Sequence, residues 1–352
     1  MTIAWFAPRP DDVAHELGHT HRVDWFDAGR AHDFVWQHFR SPYDLTVFEL
    51  ADSPAHAYVW PYLLRYPGIV VLRATSLQHS RTESLHRHHR RHHLRAERAF
   101  GGPSLLRAPL AASRMVVVHD DAVARDLRGE YPGVDVRVIP AGVTAAPLAP
   151  SPGDTRFRYH APEPAVVERA AARARDGGAG IDLASGLEDL REGDVAIALE
   201  WPPTGAPPID ALRAMAAGIP AIVFETEAVA TWPTLDPQTW QPRGYIDGGE
   251  PIAISIDPRD EEHSLMLCMR RLAADRALVA QLGRAAGAWA RDHAGAGAAA
   301  RAWGPVLRDA VQRRPSLAPG GLPPHLIEDG TAVARATLEE MGAGVDFLNR
   351  ES

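Results

Sequence analysis

The densest group of chemically capable side chains lies between Arg81 and Arg98, where His86, His88, His89, His92 and His93 alternate with six arginines. On a continuous helix, His88/His92 and His89/His93 would stand four residues apart, a spacing at which two imidazoles share one face and can hold a metal ion. Residues 89 to 92 are His, Arg, Arg and His, so the acidic general base of a His-Glu-x-x-His metallopeptidase is missing. Leu85 and Leu94 are almost the only large apolar residues there, which predicts a solvated face and not a core helix. Contact with an anionic acceptor or a membrane surface is the alternative use of so much positive charge. His119 closes a strand-like run, where a neutral imidazole can bond a hydroxyl or act as a general base; a structural histidine is the other reading. Arg73, Arg156, Arg158 and Arg213 can each grip a diphosphate through the bidentate guanidinium fork, or be ordinary surface arginines. Cys268, among Leu265, Leu267 and Met269, reads as a small buried hydrophobe. Asp44 and Glu49 flank a strand and read as structural, and His15, His19 and His21 show no useful spacing.

Some chemistry is excluded by absence. The 37 basic residues are all arginine, so Schiff-base catalysis, pyridoxal phosphate attachment and a Walker A phosphate loop have no lysine to use. A GC-rich genome accounts for this and for the single asparagine, Asn349. The 352 residues, 45% hydrophobic and 23% charged, suit two globular domains of about 150 to 200 residues each. No run reaches 18 apolar residues, the first residues lack the pattern of a signal peptide, and one cysteine cannot form an internal disulfide. A cytoplasmic protein is the expectation. A net charge of −8 disfavours nucleic acid as a partner.

The elements that must position these groups alternate along the chain. Strands are expected at Thr2–Ala7, Arg22–Phe26, Asp44–Leu50, Gly68–Arg73, Arg114–His119 and Asp135–Ile139, with helices such as Pro54–Tyr66 and Asp120–Glu130 between them. A proline-rich linker, 144–154, separates this domain, 1–143, from a second, 155–314. Strands are expected there at Thr155–His160, Asp194–Glu200, Ile219–Phe224 and Pro251–Ile256, and helices at Glu163–Asp176, Ala206–Ala217, Asp260–Ala274 and on to about Arg314. A tail, 315–352, would carry a last helix from about Asp329 to Met341 back to the first domain. Nearly continuous apolar strands alternating with helices predict parallel sheets covered on both faces, with ligands in a cleft at the carboxyl ends. Ala7-Pro8-Arg9-Pro10 follows the first strand where a dinucleotide dehydrogenase would have Gly-x-Gly-x-x-Gly.

The order of several segments then resembles a known family. His56-Ala57-Tyr58 through Leu63–Leu72, Val116-Val117-Val118-His119, Val138-Ile139-Pro140-Ala141-Gly142-Val143, Trp201-Pro202-Pro203-Thr204-Gly205 and Ala211–Pro220 follow one another as in GT-B glycosyltransferases of the retaining, family 4-like kind. Leu235–Trp240 and Asp260–Leu265 fit the same order. The resemblance implies an α/β GT-B fold, two Rossmann-like doubly wound domains facing a central cleft. It implies transfer of a sugar from a nucleoside-diphosphate sugar to an acceptor hydroxyl with retention, without a bound metal or other cofactor; no Asp-x-Asp motif occurs. By resemblance, the catalytic and acceptor side would use His119, His79 and Arg73. The donor side would use Gly142, Arg158, His160, Thr204, Gly205, Ala206, Asp210 and Arg213, with the donor phosphates at the N-terminus of the Ala206–Ala217 helix. The chain departs from the family at Phe157–Pro164, where a strand ending in Gly-Arg and then a diphosphate-clamping lysine are expected, and at Arg73-Ala74 in place of His-Asp. A non-catalytic GT-B homologue that binds a nucleotide or a partner protein is therefore a second reading.

Overall fold

The computed structural model describes residues 1–9, 12–145, 147–150, 155–243, 249–315, 322–327, 337 and 340–342. The chain divides into two compact units. Met1–Val118, Val123–Val138 and the described residues from Gly304 onward form the first; His119–Ala122 and Ile139–Trp303 form the second.

The first sheet contains β1 (Thr2–Phe6), β2 (Arg22–Phe26), β3 (Leu45–Leu50), β4 (Ile69–Leu72), β5 (Met115–Val118) and β6 (Val136–Val138). Its order is β2-β1-β3-β4-β5-β6 and every pairing is parallel. Helices α1 (Asp12–Leu17), α2 (Ala31–Arg40), α3 (Trp60–Arg65), α4 (Gln78–Arg87), α5 (Leu94–Gly101), α6 (Arg107–Ala112) and α7 (Asp121–Glu130) fill the connections. Side chains alternate across a strand, so Ala4, Phe6, Phe48, Leu50, Val70, Leu72, Val116 and Val118 share one core with Phe34, Trp60, Leu63 and Leu127 of the helices. The intervening Ile3, Trp5, Val47, Ile69, Val71, Met115 and Val117 are buried as well, which is why these strands read as unbroken apolar runs. Asp120 accepts a 2.8 Å bond from the Ala122 N–H and so caps α7.

The second sheet contains β7 (Arg156–His160), β8 (Asp182–Ser185), β9 (Val195–Ala198), β10 (Ala221–Phe224), β11 (Thr234–Leu235), β12 (Pro242–Arg243) and β13 (Ala253–Ile256). Its order is β12-β11-β13-β10-β9-β7-β8, with only β11/β12 antiparallel. Helices α8 (Pro164–Asp176), α9 (Ile209–Ala216), α10 (Glu261–Ala274), α11 (Arg276–His293) and α12 (Ala296–Gln312) follow, and α13 (Pro324–Ile327) comes last. The two faces of this sheet differ. Phe157, Ile197, Ile222, Phe224, Ile254 and Ile256 pack with α8 and α10, whereas Ala198, Ala221, Val223 and Ala253 pack with α9 and α11. Small residues on the second face let backbones come close: a Cβ placed on Gly283 of α11 would stand 2.2 Å from the Gly218 carbonyl oxygen.

Four expectations need correction. The helix expected over Pro54–Tyr66 is a short 3-10 turn, Pro54–His56, followed by α3. Strands β8, β11 and β12 were not foreseen, because Asp182–Ser185 is not an apolar run and the other two are only two residues long. The donor-side helix begins at Ile209 and not at Ala206, because Pro207 and Pro208 push the residue before each of them out of the helical region. The His/Arg segment is not one helix: α4 ends at Arg87, His89 has φ +55°, and a 3-10 turn, Arg91–His93, precedes α5. The two i, i+4 histidine pairs are therefore not on a common helical face, and no group of three or more metal-ligating residues occurs among the described residues. Most of the expected helix Asp329–Met341, and linker residues 146 and 151–154, lie outside the described residues.

Candidate functional site

The second sheet reverses its strand order at β7/β9, and open α/β sheets offer a ligand crevice at the carboxyl ends of such a pair. His160 ends β7, Glu200 follows β9, and Asp210 is the second residue of α9. His160 Nδ1 lies 2.7 Å from Asp210 Oδ2, with the imidazole 70% exposed. A carboxylate can only accept, so Nδ1 carries the proton and Nε2 is left as an acceptor in the neutral ring. Beside this pair is a small open recess, with a cavity volume of about 20 Å³, lined by Ala198, Glu200, Pro203, Thr204, Ala206, Pro208, Val223, Phe224 and Thr226. Burial raises the Glu200 carboxyl above the ordinary glutamate range, Asp210 adds to the shift, and a hydrogen bond from Thr204 opposes it. Thr204 Oγ1 also accepts from the Ala206 N–H at 3.3 Å. Gly205 between them has φ +81°, a conformation that side chains rarely adopt. The Trp201–Pro202 peptide leading into this loop is cis.

Of the eight expected donor-side residues, Thr204 and Ala206 line the recess, while His160 and Asp210 pair with each other and act electrostatically on Glu200 in its wall. Gly205 shares the loop, and Arg213, exposed, stands one turn beyond Asp210 on α9. The Ala206 N–H is used within the loop, so the open N–H groups belong to the start of α9, at Ile209 and beyond. Arg158 points its Nε to the Gly186 carbonyl at 2.8 Å, and Arg156 makes a bidentate pair with Asp194 at 3.1 and 2.7 Å. Both guanidinium groups already serve the β7–β8–β9 connections. Gly142 has φ +73° and sits beside Val143, which exchanges backbone bonds with Ala294 and Ala296. Glu200 was missed, although an acidic residue at the end of an apolar strand was the sign for it.

In the first unit, Arg73 follows β4 and lies 3.2 Å from Glu49 of β3, both side chains mostly buried. Arg73 is thus matched by a carboxylate that the sequence reading left as structural. His79, at the start of α4, receives both kinds of support from Asp52. Its N–H donates to Asp52 Oδ1 at 2.6 Å and its Nδ1 lies 2.9 Å from Oδ2. Asp52 Oδ1 also accepts from the Ser80 N–H at 3.1 Å. Asp52 went unremarked in the sequence, since a loop aspartate 27 residues away has no spacing that announces it. His119, which belongs to the second unit although it directly follows β5, places Nδ1 2.8 Å from the Ile139 carbonyl oxygen, so its proton is on Nδ1.

The segment rich in histidine and arginine is anchored from beneath. Arg81 and Glu97, at its two ends, are 6% and 3% exposed and form a bidentate pair at 2.6 and 2.5 Å. Arg81 lies over the Trp60 ring at 4.8 Å, and His325 of α13 adds a 3.1 Å contact to Glu97. The expected solvated face is interrupted by the buried Arg81, Ser84, Leu85 and Glu97, and includes His86, Arg87, His88, His89, Arg91, His92, Arg95 and Arg98, which are exposed. Cys268 is fully buried and its thiol is pushed well up by desolvation.

No protein-family model and no curated protein matches the sequence. Solved structures do. HepE from Anabaena, in complex with UDP-glucose, is 12% identical over 88% of this chain and 99% of its own, with a TM-score of 0.50. The complex of HepE with UDP and glucose gives 14% identity, the same coverage and a TM-score of 0.49. A variant of TarM from S. aureus is 10% identical over 78% of this chain and 58% of its own, at 0.47. At such identities the likeness is one of architecture, and the chain has the α/β GT-B fold of two Rossmann-like units.

Proposed function

We propose that the chain transfers a sugar from a nucleoside-diphosphate sugar to an acceptor hydroxyl, with retention. The observation that carries this reading is the recess at the reversal of the second sheet, where His160, Asp210, Glu200 and Thr204 converge beside the start of α9. Two carboxylates and an imidazole suit the hydroxyls of a ribose or a sugar. The open N–H groups of α9 suit the diphosphate, and Arg213 is the cation nearest that role. The fold likeness to HepE, a protein crystallised with UDP-glucose, supports the same ligand class. Retention rests on the family 4-like order of segments. His119, His79 and Arg73 belong to the acceptor side in this reading, and no metal or cofactor takes part. The exposed middle of the His/Arg segment is the surface for peripheral contact with a membrane or an anionic acceptor.

The test is a thermal-shift panel of UDP, GDP, ADP and dTDP and their sugars. A ligand at 100 times its dissociation constant adds about 2.7 kcal/mol. A shift by at least one sugar nucleotide, followed by an NMR reading of the product's anomeric configuration, is the expected result. A flat panel sinks the reading. A second reading, a non-catalytic nucleotide-binding or partner-binding protein, is favoured by one observation. The chain has no lysine, and of the candidate donor-side arginines Arg156 and Arg158 are held by Asp194 and Gly186, which leaves Arg213, exposed on α9, for the phosphate charge. Nucleotide binding without turnover on any acceptor would select it.

A further inference from the structure

An imidazole that is 81% exposed has no packing to hold it, yet His79 is held. One carboxylate, Asp52, takes its ring Nδ1 and its backbone N–H together, so ring and main chain are fixed to the same group. A carboxylate cannot donate, so the proton sits on Nδ1 and Nε2 presents a lone pair outward. Ordering of a ring by a carboxylate behind it is the arrangement that sets an imidazole's tautomer and direction for a ligand in front of it.

The neighbouring groups define what that ligand is. His79 and Asp52 stand at the carboxyl edge of β3 and β4, the edge from which Arg73 and Glu49 also come. Glu49 matches the charge of Arg73 at 3.2 Å, and Asp52 is occupied by three N–H donors of His79 and Ser80. His56, in the turn after β3, is 9% exposed, and burial holds its ring below the ordinary histidine range, hence neutral. An anion or an ammonium would find no unmatched opposite charge among these described groups. A hydroxyl would find the Nε2 lone pair.

Resting on the transfer reading above, we propose that Asp52 is a positioning residue for the acceptor, holding His79 so that Nε2 accepts a hydrogen bond from a hydroxyl of a neutral sugar or polyol. His79 is the group that touches the ligand; Asp52 acts through it. The site is in the first unit and needs no donor for its ligand to bind.

The experiment uses the full chain and methyl α-glucoside as probe, titrated by saturation-transfer NMR, with glucose 6-phosphate alongside. In Asp52→Asn, the amide oxygen can still accept from the two backbone N–H groups, but its NH2 faces ring Nδ1. The His79 tautomer should then move its proton to Nε2, visible in long-range proton–nitrogen correlation spectra. Methyl α-glucoside affinity should fall about three- to tenfold in His79→Ala, the weight of one hydrogen bond, and by less in Asp52→Asn, where Nε2–H can still donate to the hydroxyl oxygen. His79→Gln, which keeps an acceptor oxygen, should recover part of it. His79→Ala should melt with the parent, since the ring is exposed. An unmoved tautomer, an unchanged affinity in both variants, or preferential binding of the phosphate would overturn the proposal. Nucleotide titrations of the same variants separate the two readings. A chain that binds the glucoside but binds no nucleotide removes the transfer reading alone, and one that binds a nucleotide but not the glucoside removes this one alone.

Discussion

Glu97→Ala should be among the most damaging single changes in the first unit. The Glu97 side chain is 4% exposed and that of Arg81 is 7%, so water does little for either charge. Arg81 gives two hydrogen bonds to the carboxylate, its guanidinium covers Trp60 at 4.8 Å, and His325 approaches the same carboxylate at 3.1 Å. Removing the carboxylate leaves a buried guanidinium unmatched, which costs about 3 to 5 kcal/mol. That is a large share of the roughly 5 to 15 kcal/mol by which a folded protein is stable. The assay is urea denaturation followed by circular dichroism. Two controls bracket it. The double change Arg81→Met, Glu97→Leu removes both charges and should recover most of the loss, because apolar replacement of a whole buried pair is often neutral. Replacing the exposed His86, His88, His89 and His92 by Gln should stay within about 0.5 kcal/mol, as exposed substitutions usually do. A loss below about 1 kcal/mol in Glu97→Ala, or a larger one in the histidine variant, would refute the view that this segment is held by its buried ends and not by its histidines.

Other expectations follow from the second unit and its core. Burial raises the Glu200 pKa, so the folded state holds its proton more tightly than the unfolded chain and stability falls as pH rises above the ordinary glutamate value. Glu200→Gln should therefore raise the melting temperature at neutral pH and lose that advantage near about pH 4, where both states are protonated; an equal gain at both pH values would contradict the assignment. Asp210→Ala should weaken the best nucleotide sugar by about 1.5 to 3 kcal/mol, the worth of a charged hydrogen bond, in an isothermal titration; unchanged affinity would place the ligand elsewhere. Gly283→Ala should cost about 1 to 3 kcal/mol, because its methyl would meet the Gly218 carbonyl oxygen and force α9 and α11 apart. Cys268 should resist thiol reagents in the native protein and react once urea exposes it; labelling of the folded chain would show that α10 is not packed as described.

Much of the architecture was legible from the sequence because burial on both faces leaves a plain mark. Val116-Val117-Val118 and Ile69–Leu72 read as strands, since each successive side chain enters a core on one side or the other. The order of such runs, with helical stretches between them, pointed to parallel sheets, and the GT-B expectation followed from the order of whole segments. Local chemistry set some boundaries too: an aspartate directly after an apolar strand is a natural helix cap, and Asp120 caps α7. Pro207 and Pro208 should have excluded Ala206 and Pro207 from α9, and the steric rule for residues before proline was available in the sequence. What the sequence could not decide were pairings between residues far apart along the chain. Arg81 and Glu97 looked like part of a solvated run because composition reports neighbours in sequence, whereas burial depends on Trp60 and His325, which only folding brings to them. His160 with Asp210, 50 residues on, and His79 with Asp52, 27 residues back, are of the same kind. The strand order places their loops at common sheet edges, and a hydrogen bond of 2.7 to 2.9 Å depends on that placement to within a fraction of an ångström. Residue types set which chemistry the chain can offer; the tertiary structure set which of those groups are matched, which are buried, and which face outward to a ligand.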